Sequence, residues 1–174
     1  MQTENVVAPA PLAHALLKEL DHELLLTRRV LERAPEDYFG WQPHPKSMTL
    51  GKLVWHTADM LGGIDRTMHT TKVDLATMDF STPKPANTEA LLQHFDAESA
   101  ATRAALAAAE PEAFDVLWTL RHGPYVIMQQ SRAETVRHLI SHAIHHRGQL
   151  SVYLRLLDVP VPYIYGPNDD EATM

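Results

Sequence analysis

The sequence predicts an all-α domain, a four-helix bundle, and three observations carry that prediction. Four long segments repeat their apolar residues at three- and four-residue steps, prolines stand at the ends of those segments, and little of the rest alternates as strands do. The 174 residues, 45% hydrophobic and 21% charged, suit one soluble domain that can bury roughly 70% of its unfolded surface. No internal repeat, low-complexity tract or second domain interrupts the chain, so residues 1–174 read as one unit with flexible ends at 1–10 and 168–174.

The first helix covers residues 11–34, where Leu12, Leu16, Leu20, Leu24 and Leu31 form a stripe among Lys18, Glu19, Glu23, Arg28 and Arg29. It stops before Pro35, which removes a donor and disfavours helical geometry in the residue before it. After a loop over residues 35–46, Ser47 or Thr49 can cap a second helix carrying Leu50, Leu53, Val54, Met60, Leu61, Ile64 and Met68. Gly62 and Gly63 weaken that helix near its end.

Residues 70–86 show no sustained period and read as a long connection. A connection of ~16 residues spans ~50 Å when extended, longer than a helix of ~22 residues at ~33 Å, so the third helix can run parallel to the second. That alanine-rich third helix covers residues 88–110 and ends at Pro111, with Leu91, Leu92, Phe95 and Leu106 on its apolar stripe. The β-branched and aromatic residues of 114–128, around Arg121-His122-Gly123-Pro124, predict a short β-hairpin between the third and fourth helices. Ser131 and Glu134 form a capping box that opens the fourth helix, which continues to Leu157 and ends near Asp158-Val159-Pro160. The first half of the remaining tail, with Tyr163 and Tyr165, is expected to dock on the bundle.

Charge and absences narrow the function. With 15 Lys+Arg against 22 Asp+Glu the net charge is −7, which argues against a broad phosphate-binding face and therefore against nucleic acid. No apolar run approaches the ~20 residues of a membrane span, and the first residues lack a basic start and an apolar core, so a cytoplasmic protein is expected. The absence of cysteine excludes disulfides, iron–sulfur ligation and a cysteine nucleophile. There is no Gly-rich phosphate cradle and no Gly-x-Ser-x-Gly elbow.

What stands out is eleven histidines. On the fourth helix, taking His138 as zero, His145, Gln149, His142 and His146 fall at about −20°, 20°, 40° and 80°, a single face. Leu139, Ala143, Leu150, Leu154 and Leu157 lie at roughly 100–160°, so His142 and His146 are the pair nearest the core. Imidazoles four residues apart stand one above the other and can bring two nitrogens to one metal at about 2.0–2.1 Å. His56 is the best third candidate, three residues after Leu53 and four before Met60, on the flank of a buried stripe; the alternative is a core histidine bonded to a carbonyl. Ala143 stands where a zinc-protease helix needs its Glu, and the Glu19-x-x-His22 step occurs without the second copy a di-iron bundle requires. Three neutral imidazoles would leave a divalent ion its full charge and an open position, the pattern of a catalytic site that acidifies a water or thiol.

The residues Trp41 and Pro43, the run Lys46-Ser47-Met48-Thr49-Leu50-Gly51 leading to His56, the run from His142 through His145-His146-Arg147-Gly148-Gln149-Leu150, and the tail Tyr165-Gly166-Pro167 occur in one order. On these, the sequence resembles the DinB-like superfamily of damage-inducible four-helix metalloenzymes. The resemblance implies up-down-down-up topology and one divalent ion per chain held by His56, His142 and His146, with Zn or Ni expected and Mn or Fe as alternatives. Its characterised members include thiol-dependent transferases and isomerases. The expected function is therefore activation of a thiol or water for transfer to, or hydrolysis of, a small electrophile, with a low-molecular-weight thiol as one partner. Asp59, His145 and Gln149 are candidates for supporting the ligands. Two rival expectations are a non-enzymatic metal- or ligand-binding stress-response module and a metal-free structural bundle. A homodimer is expected, since amphipathic bundles commonly pair about a two-fold axis.

Overall fold

A computed structural model describes residues 11–79 and 86–171. The first helix, α1 (Pro11–Glu32), buries Leu16, Leu20, Leu24 and Leu31 of the expected stripe together with Leu26 and Val30, while Leu12, in its first turn, is exposed. Thr49, rather than Ser47, caps α2 (Leu50–Met60), its hydroxyl accepting the Lys52 N–H at 3.2 Å. The predicted second helix is interrupted at Leu61 and resumes as α3 (Gly62–His69). At the break the Leu61 carbonyl accepts the Thr102 hydroxyl at 2.8 Å, so a neighbouring helix holds the interruption that the two glycines permit.

The long connection is not wholly irregular: it contains a three-residue strand, β1 (Lys72–Asp74), and its residues 80–85 lie outside the described part. Asn87 caps α4 (Thr88–Ala107), which ends earlier than predicted and passes through a 3-10 turn at Pro111–Phe114. The predicted hairpin is present as β2 (Leu117–His122) and β3 (Tyr125–Ser131), turning at Gly123 with φ of 55°. That positive φ is why glycine stands first in the two-residue turn. A bulge between Leu120 and Arg121 shifts the β2–β3 register, and β1 pairs parallel to β2, giving a small sheet in the order β1-β2-β3. Ser131 and Glu134 close the capping box of α5 (Arg132–Leu156).

Side-chain contacts give the helix directions. Arg28 meets Asp96 while Arg103 meets Asp21, so α1 and α4 are antiparallel. Asp59 meets His94 and Leu61 meets Thr102, so α2 and α4 run the same way. Tyr153 bonds the Met48 carbonyl while Leu139 packs at Gly63, so α2 and α3 oppose α5. The topology is up-down-down-up, as expected, with the sheet at the end where α3 finishes and α5 begins. Trp118 donates to the Thr70 hydroxyl and Arg132 to the Thr70 carbonyl, fixing sheet to bundle.

The tail is tied down more firmly than its composition suggests. Glu171 pairs with Arg29 and Arg33, Asp170 with Arg155, and Asn168 donates to the carbonyls of Val161 and Pro162. The flexibility expected at 1–10 and 172–174 falls outside the described residues. Among the described residues no helix is long and apolar enough to cross a membrane.

Candidate metal centre

Three imidazoles from two helices meet inside the bundle. His56 projects from α2 (Leu50–Met60) toward α5. There His142 and His146 stack one turn apart, and a nitrogen of each of the three rings lies within 4.8 Å of the others. The His146 and His142 Nε2 atoms are 2.9 Å apart, a distance at which two lone pairs share a proton or converge on a cation. The His56 ring centroid is 4.6 Å from that of His146 and 5.6 Å from that of His142. His146 is buried and the other two are half-buried.

The electrostatics favour the neutral form of two of the three rings. Burial, then the neighbouring rings of His146, His56, His138 and His145, push His142 down to about 4. Burial and His146 lower His56 as well, against an opposing pull from Asp59. A neutral imidazole with an available lone pair is what a metal ligand must be. Gln149, though exposed, completes the arrangement at His146: its Oε1 accepts the His146 Nδ1–H at 2.8 Å, which leaves Nε2 as the lone-pair nitrogen.

The other candidate residues lie around this centre in different ways. The Asp59 carboxylate sits 3.3 Å from His94 Nε2, and His94 in turn stacks on Trp55. His145 is exposed and packs edge-on to His146 at 5.1 Å, and His138 does the same to His142 at 5.7 Å. Arg147, next to His146, is 1% exposed and turned the other way, bonded to Glu23, Thr27 and Tyr165.

A cavity of about 360 Å³ opens from His56 and His142. Sequence reasoning does not anticipate its far wall, which the sheet supplies through Val73, Trp118, Leu120 and Met128. The aromatic and β-branched composition of 114–128 is the only local sign of it, since the strands reach the histidines through tertiary packing. Its volume lies within the roughly 300–1,000 Å³ usual for small-ligand pockets.

The DinB family model matches residues 1–173. The chain belongs to the DinB family. A curated relative, the uncharacterized protein YrdA of Bacillus subtilis strain 168, is 29% identical over 157 residues, covering 89% of each chain. A DinB-like protein from Bacillus cereus ATCC 10987 has a similar crystal structure, with a TM-score of 0.68, 20% identity, and coverage of 87% of this chain and 97% of that one. A DinB-family structure from Exiguobacterium sibiricum 255-15 gives a TM-score of 0.68 at 18% identity, covering 89% and 97%. At these identities the solved structures speak for the fold alone. In this DinB-family chain, Trp41, one of the residues that carry the sequence resemblance, ties the start of α2 to α5. The Trp41 carbonyl accepts the Leu50 N–H at the start of α2, and the Trp41 ring packs edge-on to Tyr153 of α5.

Proposed function

We propose that this chain is a divalent-metal-dependent enzyme that holds one ion on His56, His142 and His146 and directs a thiol or water at a small electrophile. The observation that carries this reading is the convergence of three imidazole nitrogens, two of them on rings that line a small-molecule-sized cavity. The donor set fits such an ion: two of the rings are held neutral, and the third is oriented by Gln149. Imidazole donors favour Zn or Ni, with Mn or Fe as alternatives. A divalent ion bound there would supply Lewis-acid activation of a water or a low-molecular-weight thiol near neutral pH.

The chain's own residues supply the rest. Gln149 fixes the His146 tautomer, so the ring presents Nε2 to the cluster. Trp118, Leu120 and Met128 line the cavity with apolar surface that displaces water from a bound substrate. The Trp118 indole N–H is already bonded to the Thr70 hydroxyl at 3.1 Å, which fixes the ring as a wall.

The test is turnover of a panel of small electrophiles with cysteine, glutathione, coenzyme A or water. The expected result is a product that requires metal and disappears on chelation and in His142→Ala. Product formation indifferent to both treatments would contradict the reading. Metal-bearing protein that converts nothing would favour a metal- or ligand-binding module instead.

A further inference from the structure

The cavity beside the histidines carries one cation whose charge is unspent. Arg66, in the last turn of α3, lines it. Most of the other arginines are engaged: Arg28, Arg29, Arg33, Arg103, Arg147 and Arg155 hold carboxylates, and Arg132 holds carbonyls. Arg121 holds both Asp74 and the Gly123 carbonyl. Among the described residues Arg66 and Arg137 have no such partner, in a chain whose net charge is −7, and of the two Arg66 alone lines the cavity. The hydroxyls and the carboxylate of the cavity are occupied. The Thr67 hydroxyl donates to the Gly63 carbonyl, the Thr135 hydroxyl donates to the Ser131 carbonyl, and Asp59 faces His94.

Arg66 and the histidines mark two ends of one space. Arg66 stands ten residues beyond His56, on α3 past the break at Leu61, and both line the cavity. The surface between is largely apolar, supplied by Met60, Leu139, Trp118, Leu120 and Met128. A molecule that uses the whole cavity therefore needs an anionic end, an apolar middle and a reacting end. A single guanidinium from the last turn of α3, with Asp59 also lining the cavity, balances one negative charge rather than two. Its planar fork matches a carboxylate.

Resting on the metal-site reading above, we propose that the substrate is a small organic carboxylate. Its anionic end pairs with the Arg66 guanidinium, its apolar body lies against Trp118, Leu120 and Met128, and its reacting end reaches the histidine cluster.

The experiment is calorimetric titration of the full-length chain with 3-phenylpropanoate and its neutral isostere 3-phenylpropanamide. It is run on protein as purified and after chelator treatment, for wild type, Arg66→Met and Arg66→Lys. Arg66 is exposed, so neither substitution opens the core. The expected result is a preference for the carboxylate of about tenfold or more with and without metal, the scale of a charge-assisted hydrogen bond. Arg66→Met should bring the two probes to within about twofold by weakening the carboxylate alone, and Arg66→Lys should retain part of the preference. Equal affinity of wild type for the two probes, a preference that survives Arg66→Met, or no saturable binding of either would overturn the proposal. A preference seen only with metal and unaffected by Arg66→Met would place the anion on the ion, overturning the Arg66 role while leaving the metal-site reading intact. Conversely, the Arg66-dependent preference in chelated protein does not need the metal, so failure of the metal-site reading would be seen separately.

Discussion

His142 is surrounded by groups that oppose its protonation, with burial the largest cause and four neighbouring imidazoles adding to it. Its ordinary value of 6.5 applies to the unfolded chain and about 4 to the folded one. Between those values the unfolded chain binds the extra proton, so the stability this residue permits is full above about 6.5 and is lost as pH falls through about 4. Chelated wild type should lose melting temperature over that window more steeply than chelated His142→Leu; equal slopes would contradict the account. Two candidate supports make opposite predictions. Gln149→Leu removes the acceptor that orients His146 and should weaken metal affinity by roughly 10–100-fold in a chelator competition. Asp59→Ala should change it by less than about threefold, because that carboxylate faces His94. The histidine cluster is legible in the sequence because four-residue spacing fixes a helical face. The Gln149 contact is legible only as proximity, since a wheel gives directions and not rotamers.

At the scale of elements, α2 is held by a close approach. A Cβ on Gly51 would lie 2.9 Å from both the Phe39 Cβ and the Phe39 carbonyl oxygen, and the Gly51 N–H donates to that same carbonyl at 2.9 Å. Because backbone cannot yield as a side-chain tip can, Gly51→Ala should destabilise by about 1–3 kcal/mol in urea unfolding. A loss below about 0.5 kcal/mol would mean the loop before α2 moves freely. The long helices were legible because each carries a stripe, a cap or a terminal proline. The break at Leu61 was not, because its carbonyl is claimed by Thr102 some forty residues away. Strand β1 was hidden for a similar reason: three residues give no period, and its pairing to β2 comes from the tertiary fold.

At the scale of the whole molecule, the tail is fastened across the bundle through a buried ion pair. Arg147 and Glu23 meet at 2.7 Å with side chains 1% and 8% exposed, and the Tyr165 hydroxyl donates to Glu23 at 2.7 Å. This joins α5, α1 and the C-terminal segment one residue from His146. Arg147→Met leaves a buried carboxylate unpaired and should cost about 3–5 kcal/mol, while Arg147→Met with Glu23→Leu should recover much of it. A single-variant loss under about 1 kcal/mol would show that water reaches the pair. Arg147 holds both the Glu23 carboxylate and the Glu23 carbonyl, and this partner was not readable because Glu23 is far away in sequence and looks like one more charge on an amphipathic helix. The central claim, that this bundle is built around one metal ion, is tested most directly by elemental analysis of tag-free protein alongside His56→Ala, His142→Ala and His146→Ala. The account predicts about one divalent ion per chain in wild type and its loss from each variant. Wild type that is metal-free and takes up none of Zn, Ni or Mn would contradict it.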